Sequence, residues 1–432
     1  MEFKIILYFI LFAIFSVNVE ANFQLIKKEN KDSNTTLLVI GGVHGNEPGG
    51  YFSAAILATR YKIISKNLWI VPNLNKESIL NNERGVNGDM NRKFSAINSQ
   101  DKDKKIVDEI KDIIVSKNVS LVLNLHDGHG FYRKKNQGSI FNPTAWGQTC
   151  VIDQCDLKED QKFGNLNNIA LTVKENVNKK LIEKHHSFNV KNTNTKYIDE
   201  QMQLSLTYFA VTNNKPAFAI ETSKNLSSLS QKVFYQLLAI EEFMKIMNIS
   251  FTKDFQLDEN NISEIIKDYG TLTINDNISL DFNDIKKSLS YIPIKSKDNI
   301  FKFSHPLGDL KKVGGNYILY VGGKQLTILK PQCFELSNEC PSKFDAIVDG
   351  NSVSIDAASA FFVNSDFKII ENEDFRVNVI GYQKKGYYNE SNLTIKLKDF
   401  NRNFSVDNSN KVYRIEFYKD NKFCSISMVH FK

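Results

Sequence analysis

The sequence predicts an α/β domain, with a mixed, mostly parallel sheet between helices, followed by two small all-β modules. Two observations predict it. In the first half, apolar runs of strand length alternate with stretches of helical period. After about Asn248 the helical pattern gives way to clusters of β-branched and aromatic residues separated by Gly and Asn turns.

The predicted strands of the first half are Leu37 to Gly41, Leu68 to Val71, Leu121 to Leu125 and Ala217 to Ile220. Their near-continuous apolar character implies a sheet covered on both faces. Helical spacing runs through Asp103 to Ser116, where Ile106, Ile110 and Ile113-Ile114 recur, and through Leu166 to His185 and Ser230 to Met247. In the second half, Thr271 to Asp281, Asn316 to Leu329, Val377 to Tyr382, Asn392 to Leu397 and Val412 to Tyr418 read as strands. A short helical piece spans Ile262 to Asp268, and Pro331 to Pro341 is the expected seam between the β modules. The implied organisation is an export signal over 1–21, an α/β domain over 22–249, and β modules over 250–340 and 341–432.

The chain has 432 residues, enough for two or three domains, with 42% hydrophobic and 24% charged residues. A net charge of +6 is mild at this length. No basic block is interleaved with aromatics, so a nucleic-acid partner is not expected. Lys4, the apolar run Ile5 to Val17 and the small residues around Val19-Glu20-Ala21 form the three parts of an export signal. The run falls short of the ~20 residues a spanning helix needs. An uncleaved anchor is the rival reading. With cleavage after Ala21, no transmembrane span is expected and the protein would work outside the cytoplasm.

Of the five cysteines, Cys150 and Cys155 lie close in sequence, as do Cys333 and Cys340, while Cys424 lacks an obvious partner. Two local disulfides or buried free thiols both fit. Two acidic sequons, at Asn261 and Asn392, are candidates for glycosylation or plain loop asparagines.

The segment Gly41-Gly42-Val43-His44-Gly45-Asn46-Glu47-Pro48 follows a predicted strand, where open α/β sheets place ligands. Imidazole and carboxylate three residues apart can converge on one cation, yet His-x-x-Glu alone is a weak motif. His126 ends another apolar strand, and a polar group emerging from a buried strand needs a partner, which a metal would supply. Catalytic zinc takes three protein ligands and leaves one position open, which makes His44, Glu47 and His126 the candidate set. Asp89-Met90-Asn91-Arg92 groups a carboxylate, an amide and a guanidinium, and Glu221 stands at the tip of an apolar strand. Trp146 is either a pocket wall or core, and Thr207 and Tyr208 precede the Glu221 strand. His129 reads as a neighbour of the site, and His185-His186 as surface.

Taken in order, these segments resemble the zinc carboxypeptidases of the carboxypeptidase A superfamily over about Thr35 to Ile249. Within it they resemble most the periplasmic peptidoglycan DL-carboxypeptidases that determine helical cell shape in Gram-negative bacteria. The wording Leu125-His-Asp-Gly-His-Gly-Phe-Tyr132 and the trailing β modules carry that finer likeness. Some members of that group use glutamine at the first zinc position; here it is His44. The resemblance implies one Zn2+ per chain on His44, Glu47 and His126, with Asp89 orienting His44. It implies Glu221 as general acid–base and Arg84 facing the oxyanion. Asn91 and Arg92 would grip the substrate's terminal carboxylate; apart from the resemblance, Trp146 and Thr207 are candidates to contact substrate in the cleft. The implied substrate is the stem peptide of uncrosslinked peptidoglycan, cut from tripeptide to dipeptide with release of meso-diaminopimelate. The β modules would contact wall polymer or scaffold proteins. Two other functions stay open: an amidohydrolase like aspartoacylase or succinylglutamate desuccinylase, against which the export signal argues, and a non-catalytic wall-binding protein.

Overall fold

The structure is a computed structural model and describes residues 15–16, 23–31, 33–157 and 161–432. The expected export signal, residues 1–21, lies outside these residues except for the two-residue strand Phe15–Ser16. Among the described residues no helix is long and apolar enough to cross a membrane. The chain divides into two compact units, one of residues 20–267 with 322–324, the other holding 268–321 and 325–432.

The first unit is built on a seven-stranded sheet. Its strands are β1 (Ile26–Lys28), β2 (Thr36–Ile40), β3 (Asn67–Val71), β4 (Val119–Gly128), β5 (Thr149–Ile152), β6 (Asn189–Asn192) and β7 (Ala217–Ser223). Their order across the sheet is β6-β5-β7-β4-β2-β3-β1. The central strands β7, β4, β2 and β3 run parallel. Strand β5 is antiparallel to β7, and β1 to β3, so the sheet is mixed but mostly parallel. The helices are α1 (Pro48–Arg60), α2 (Lys76–Asn81), α3 (Lys104–Val115), α4 (Leu166–Asn178), α5 (Leu206–Thr212), α6 (Leu229–Ile246) and α7 (Glu259–Lys267).

All five residues of β2 and of β3 are buried, which is why these strands read as continuous apolar runs. Each such aliphatic side chain contributes roughly 1.5–3 kcal/mol by leaving water. Helix α1 begins with Pro48 at its first turn, where a missing N–H costs nothing. The glycines that follow let it approach β4 closely. A Cβ on Gly49 would lie 2.3 Å from Asp127 Oδ1, and one on Gly50 would lie 2.7 Å from the Leu125 carbonyl oxygen. Helical spacing had pointed to one helix from Leu166 to His185, but α4 stops at Asn178. There the Asn178 side chain accepts from the Phe188 N–H (2.8 Å) and donates to the Phe188 carbonyl (3.0 Å), turning the chain back into β6.

The second unit is all β, in four-stranded sheets. Strands β8 (Thr271–Ile274), β9 (Ile278–Asp281) and β11 (Phe301–Phe303) pair in the order β11-β8-β9, with Phe15–Ser16 at the outer edge. Strands β10 (Ser288–Ile294), β12 (Gly308–Val313), β13 (Asn316–Val321) and β14 (Lys324–Cys333) pair as β10-β14-β13-β12. The chain then forms a sandwich. One sheet holds β15 (Lys343–Val348), β16 (Asn351–Asp356), β18 (Asp366–Ile369) and β20 (Ile395–Lys396). The other holds β17 (Ala360–Val363), β19 (Arg376–Val379), β21 (Val412–Lys419) and β22 (Lys422–Phe431). Phe344 and Phe367 of the first sheet and Ile415, Phe417 and Val429 of the second share one core.

The disulfide joins Cys340 to Cys424, against the expectation of pairs between sequence neighbours. Cys150 is a buried free thiol on β5, while Cys155 and Cys333 are free and exposed. Sandwich closure brings the chain just before β15 beside β22, a proximity that residue spacing does not report. Asn261 is exposed on α7, and Asn392 is exposed in a turn with positive φ.

Candidate metal centre

The strand ends of the first unit assemble the chemistry. His44 and Glu47 stand in the loop between β2 and α1, Glu47 being the residue before the first helical turn. His126 lies near the end of β4, and the parallel register sets Glu221 of β7 directly beside it. All three of His44, Glu47 and His126 are buried, and their ligand atoms lie within 4.8 Å of one another.

Their hydrogen bonds leave a specific deficit. His44 Nε2 is held by Asp89 Oδ1 at 2.8 Å, while His44 Nδ1 stands 3.0 Å from Glu47 Oε1 without hydrogen-bond geometry. His126 Nδ1 lies 2.8 Å from Glu47 Oε2, and its buried Nε2 has no hydrogen-bond partner among the described residues. With its proton on Nε2 toward Asp89, His44 turns a lone pair toward a carboxylate; only a second proton or a cation reconciles two such groups. Two nitrogens and a carboxylate at these separations form a donor set suited to zinc, whose tetrahedral ligands stand about 3.3 Å apart. The residues present therefore fit a metal ion.

Electrostatics tune each group. Burial opposes ionisation of Glu47, but the charges of His44 and His126 outweigh it and hold the carboxyl well below its usual range. Burial likewise opposes the charged form of Asp89, yet the His44 hydrogen bond and the Arg84 and Arg92 charges hold it low. Glu221 behaves differently. Burial, aided by Glu47 and Asp127 and opposed by His126, pushes its carboxyl up to about 7. A carboxylate near neutrality is a competent proton carrier at physiological pH.

Asp89 caps the short 3-10 turn Met90–Arg92, accepting from the Asn91 N–H. Arg84 bridges the cluster, donating from Nε to Asp89 Oδ2 (3.0 Å) and from Nη1 to Glu47 Oε1 (3.2 Å). Asn91 is buried, and its side-chain oxygen accepts from the Leu206 N–H at the start of α5. The partly exposed Arg92 donates to the Asn91 carbonyl, leaving donors free for another anion. Trp146 is partly exposed and carries Lys191 Nζ 4.0 Å above its ring. Thr207 is buried, with its hydroxyl 3.2 Å from Ser205 Oγ and hydrogen-bonded to Asp153. His129 is exposed.

The pair His185-His186 is not all surface. His186 is buried, its Nδ1 2.9 Å from the Tyr235 hydroxyl and its ring parallel to Phe131, while His185 remains half-exposed. In the one-turn 3-10 segment Lys184–His186 the two rings lie edge to face, 4.3 Å apart between centroids, and both approach Phe131.

Four contributors escaped the sequence reading. Asp127 accepts from the Gly49 N–H (2.8 Å) and from Thr222, locking α1 to β4 and β7. Gln236 of α6 donates to the carbonyls of His126 (2.7 Å) and Ile220 (3.2 Å), tying the two strand ends together. Lys224 Nζ lies 3.4 Å from Glu47 Oε1. Lys191, on β6, donates to the Ala145 carbonyl (2.9 Å) beside Trp146; burial draws its ammonium down to about 8 against the pull of Glu221. Asp127, directly after His126, was the one a motif could have caught. The others sit on elements whose faces only the fold brings together.

Comparison with known proteins places the chain in a family. A family profile described as the catalytic part of a carboxypeptidase controlling helical cell shape matches residues 3–267, and one described as the C-terminal domain of a metallo-carboxypeptidase matches residues 337–432. The apo crystal structure of the cell shape determinant protein Csd4 from Helicobacter pylori is similar over 95% of this chain and 100% of that one, at 32% identity and a TM-score of 0.87. Csd4 bound to mDAP, described as a D,L-carboxypeptidase, matches at 33% identity and a TM-score of 0.88, over 94% of this chain and 100% of that one. A tripeptide-bound form of Csd4 matches at 33% identity and a TM-score of 0.87, over 95% of this chain and 100% of that one. No curated protein sequence matches the chain. The chain is a metallocarboxypeptidase and belongs to the family of carboxypeptidases that control helical cell shape.

Proposed function

We propose that this protein is a zinc-dependent D,L-carboxypeptidase of the periplasm. It trims uncrosslinked peptidoglycan stem tripeptides to dipeptides, releases meso-diaminopimelate and thereby shapes the cell. The observation that carries the reading is the buried contact of His44 Nδ1 and His126 Nδ1 with the two oxygens of Glu47, with Glu221 next to His126 in the sheet. The relatives bound to tripeptide and to mDAP support the substrate, and the apolar N-terminal run supports export.

His44, Glu47 and His126 would hold one zinc ion per chain, which would lower the pKa of a bound water toward ~7 and polarise the scissile carbonyl. Asp89 fixes the His44 tautomer so that Nδ1 is the ligand atom. Glu221 takes the proton of the attacking water and delivers it to the departing amine, a double duty that its pKa near neutrality suits. Arg84 turns a guanidinium toward the charge that develops on the carbonyl oxygen. Arg92 receives the terminal carboxylate with its free donors, and Asn91 adds its side-chain amide. Trp146 walls the cleft. Thr207, fixed by Ser205 and Asp153, completes the substrate wall at the start of α5.

The test is incubation of the purified protein with tripeptide and tetrapeptide muropeptides, with and without a chelator. Conversion of tripeptide to dipeptide stems with release of diaminopimelate, abolished by the chelator and restored by zinc, is the expected result. Tripeptide stems that stay intact beside active metal-loaded protein overturn the specificity.

A further inference from the structure

A second site lies in the all-β unit, far in sequence from the metal centre. There a cavity of about 250 Å³ is lined by Tyr291, Phe334, Arg376, Phe404, Arg414 and Glu416, among others. Strand β21 explains why it is polar. Tyr413, Ile415 and Phe417 face the sandwich core, so the alternation sends Arg414, Glu416 and Tyr418 to the opposite face, where they are buried too.

Those buried charges are unevenly satisfied. Arg414 donates to the Tyr291 carbonyl (3.2 Å) and the Ser290 carbonyl (3.1 Å). Both carbonyls sit at a bulge in β10, where the register slips between Ser290 and Ile292 and Tyr291 takes a positive φ of 58°. A tyrosine is rarely found in that conformation, and a bulge is a common way to re-aim groups beside a site. Glu416 Oε2 accepts from the Tyr418 hydroxyl at 2.6 Å. Its other oxygen, Oε1, lies 3.8 Å from Arg414 Nη1 and has no hydrogen-bond partner among the described residues. A buried carboxylate oxygen that lacks a hydrogen-bond donor beside a cavity calls for one, and a charged donor most of all. Across the same cavity the partly exposed Arg376 is held between the rings of Tyr388 and Tyr418, at 4.6 and 4.4 Å, which fixes its guanidinium without using its donors.

We propose that this cavity is a non-catalytic binding site for a free α-amino acid head group, whose ammonium meets Glu416 Oε1 and whose carboxylate meets Arg376. Phe334 and Phe404 receive the aliphatic stem. A neutral sugar of similar size offers no charge to Glu416 Oε1 or to the Arg376 guanidinium, which disfavours it. The site's chemistry is independent of the reaction proposed above. That reaction nonetheless supplies a fitting ligand, since the unlinked D-centre of diaminopimelate is such a head group.

The test is calorimetric titration of the full chain with meso-diaminopimelate in a Glu221→Gln background. Parallel titrations use D-alanine, N-acetyl-D-alanine, D-alaninamide and N-acetylglucosamine. The expected result is a zwitterion-binding event that survives Arg92→Ala and weakens about ten-fold or more in Arg376→Ala. Arg376 lies at the cavity rim, and its variant is expected to keep its unfolding midpoint and, in the Glu221 form, its peptidase turnover. Glu416→Gln should weaken binding likewise. Binding lost in Arg92→Ala and untouched in Arg376→Ala assigns all affinity to the metal cleft and overturns the proposal. Equal binding of N-acetyl-D-alanine or D-alaninamide, or binding of N-acetylglucosamine alone, overturns the ligand class.

Discussion

The two units of this protein bury charge in opposite ways. In the α/β unit the buried groups stand at strand ends and in the loops that follow, and their valences are incompletely met: His44 Nδ1 turns a lone pair toward Glu47 Oε1, and His126 Nε2 has no hydrogen-bond partner among the described residues. In the β unit the buried groups stand in mid-strand, and most of their valences are used, Arg414 by two carbonyls and Glu416 by Tyr418. A strand end can aim several side chains at one point and leave room above it, so a reacting atom can enter. A mid-strand charge is clamped by its neighbours on both sides and suits recognition rather than turnover. The comparison predicts that damage to the first unit removes chemistry, while damage to the second removes stability or affinity.

The sharpest break should come from Glu221→Gln. The amide keeps the shape but can carry no proton, so turnover should fall by about 10²–10⁴-fold, the usual share of general acid–base catalysis. Metal content, read by mass spectrometry of the native protein, should stay that of the wild type. Loss of metal together with activity would move Glu221 from proton carrier to ligand.

Next in size is the disulfide. Cys340 and Cys424 are separated by 84 residues, and closing so long a loop stabilises by about 4–5 kcal/mol on a chain-entropy argument. Cys340→Ala should therefore lower the denaturant midpoint of the β unit by the equivalent of about 2–5 kcal/mol. Turnover per folded molecule at ambient temperature should be unchanged. A variant as stable as the wild type would mean that the bond does not form in solution, and a non-reducing peptide map would show the pairing directly.

A smaller effect separates holding a metal from orienting its ligand. Asp89→Asn keeps an acceptor for His44 Nε2 but removes the charge behind it, so zinc affinity should drop by about 10–100-fold. Competition with a chromogenic chelator measures that drop. Full activity should return at saturating zinc if Asp89 acts only through His44.

The difference between the units also governs how much was legible beforehand. The metal cluster could be read because His44 and Glu47 share a glycine-rich loop just after an apolar strand and His126 ends another, where a polar residue stands out against its context. The central strands were found for the same reason, to within a residue or a few at their ends. Helix α1 was not, since Pro48, Gly49 and Gly50 open it and its glycines serve contact with β4 rather than helix formation. Strand β5, which enters the sheet antiparallel to β7, carries no sign of its direction. In the β unit, Arg414 and Glu416 occupy the positions where an alternating strand is expected to meet water, so their burial was invisible. The same blindness to distant pairing hid the Cys340–Cys424 bond. Lys191 and Gln236 matter only because β6 and α6 pack where they do.

The last and smallest test contrasts how the units meet acid. In the β unit, His305 Nδ1 accepts the Leu307 N–H at 3.1 Å, and burial pushes its imidazole down to about 4 against the pull of Asp268. The unfolded value is about 6.5, so the fold favours the neutral ring. Its contribution is then fully present above pH ~6.5 and is lost as the pH falls toward ~4. Solvent at the edge of the ring trims the full linkage figure to about 1–2 kcal/mol. In the α/β unit, Asp101 loses its contribution in the same direction but at lower pH. Burial raises its carboxyl, but the hydrogen bond and charge of Lys93 outweigh that and hold it below its usual range. That contribution persists down to the unfolded carboxyl value near pH ~4 and is lost only below it. Between pH 6.5 and 4.5 the β unit should therefore soften first. Hydrogen exchange across that range should show rising exchange around Phe303 and Leu307 before any change on β2 or β4. His305→Asn, which cannot take up the proton, should flatten the β-unit response. If the two units soften together in both proteins, His305 does not govern the acid limb, and the contrast drawn from its burial fails there.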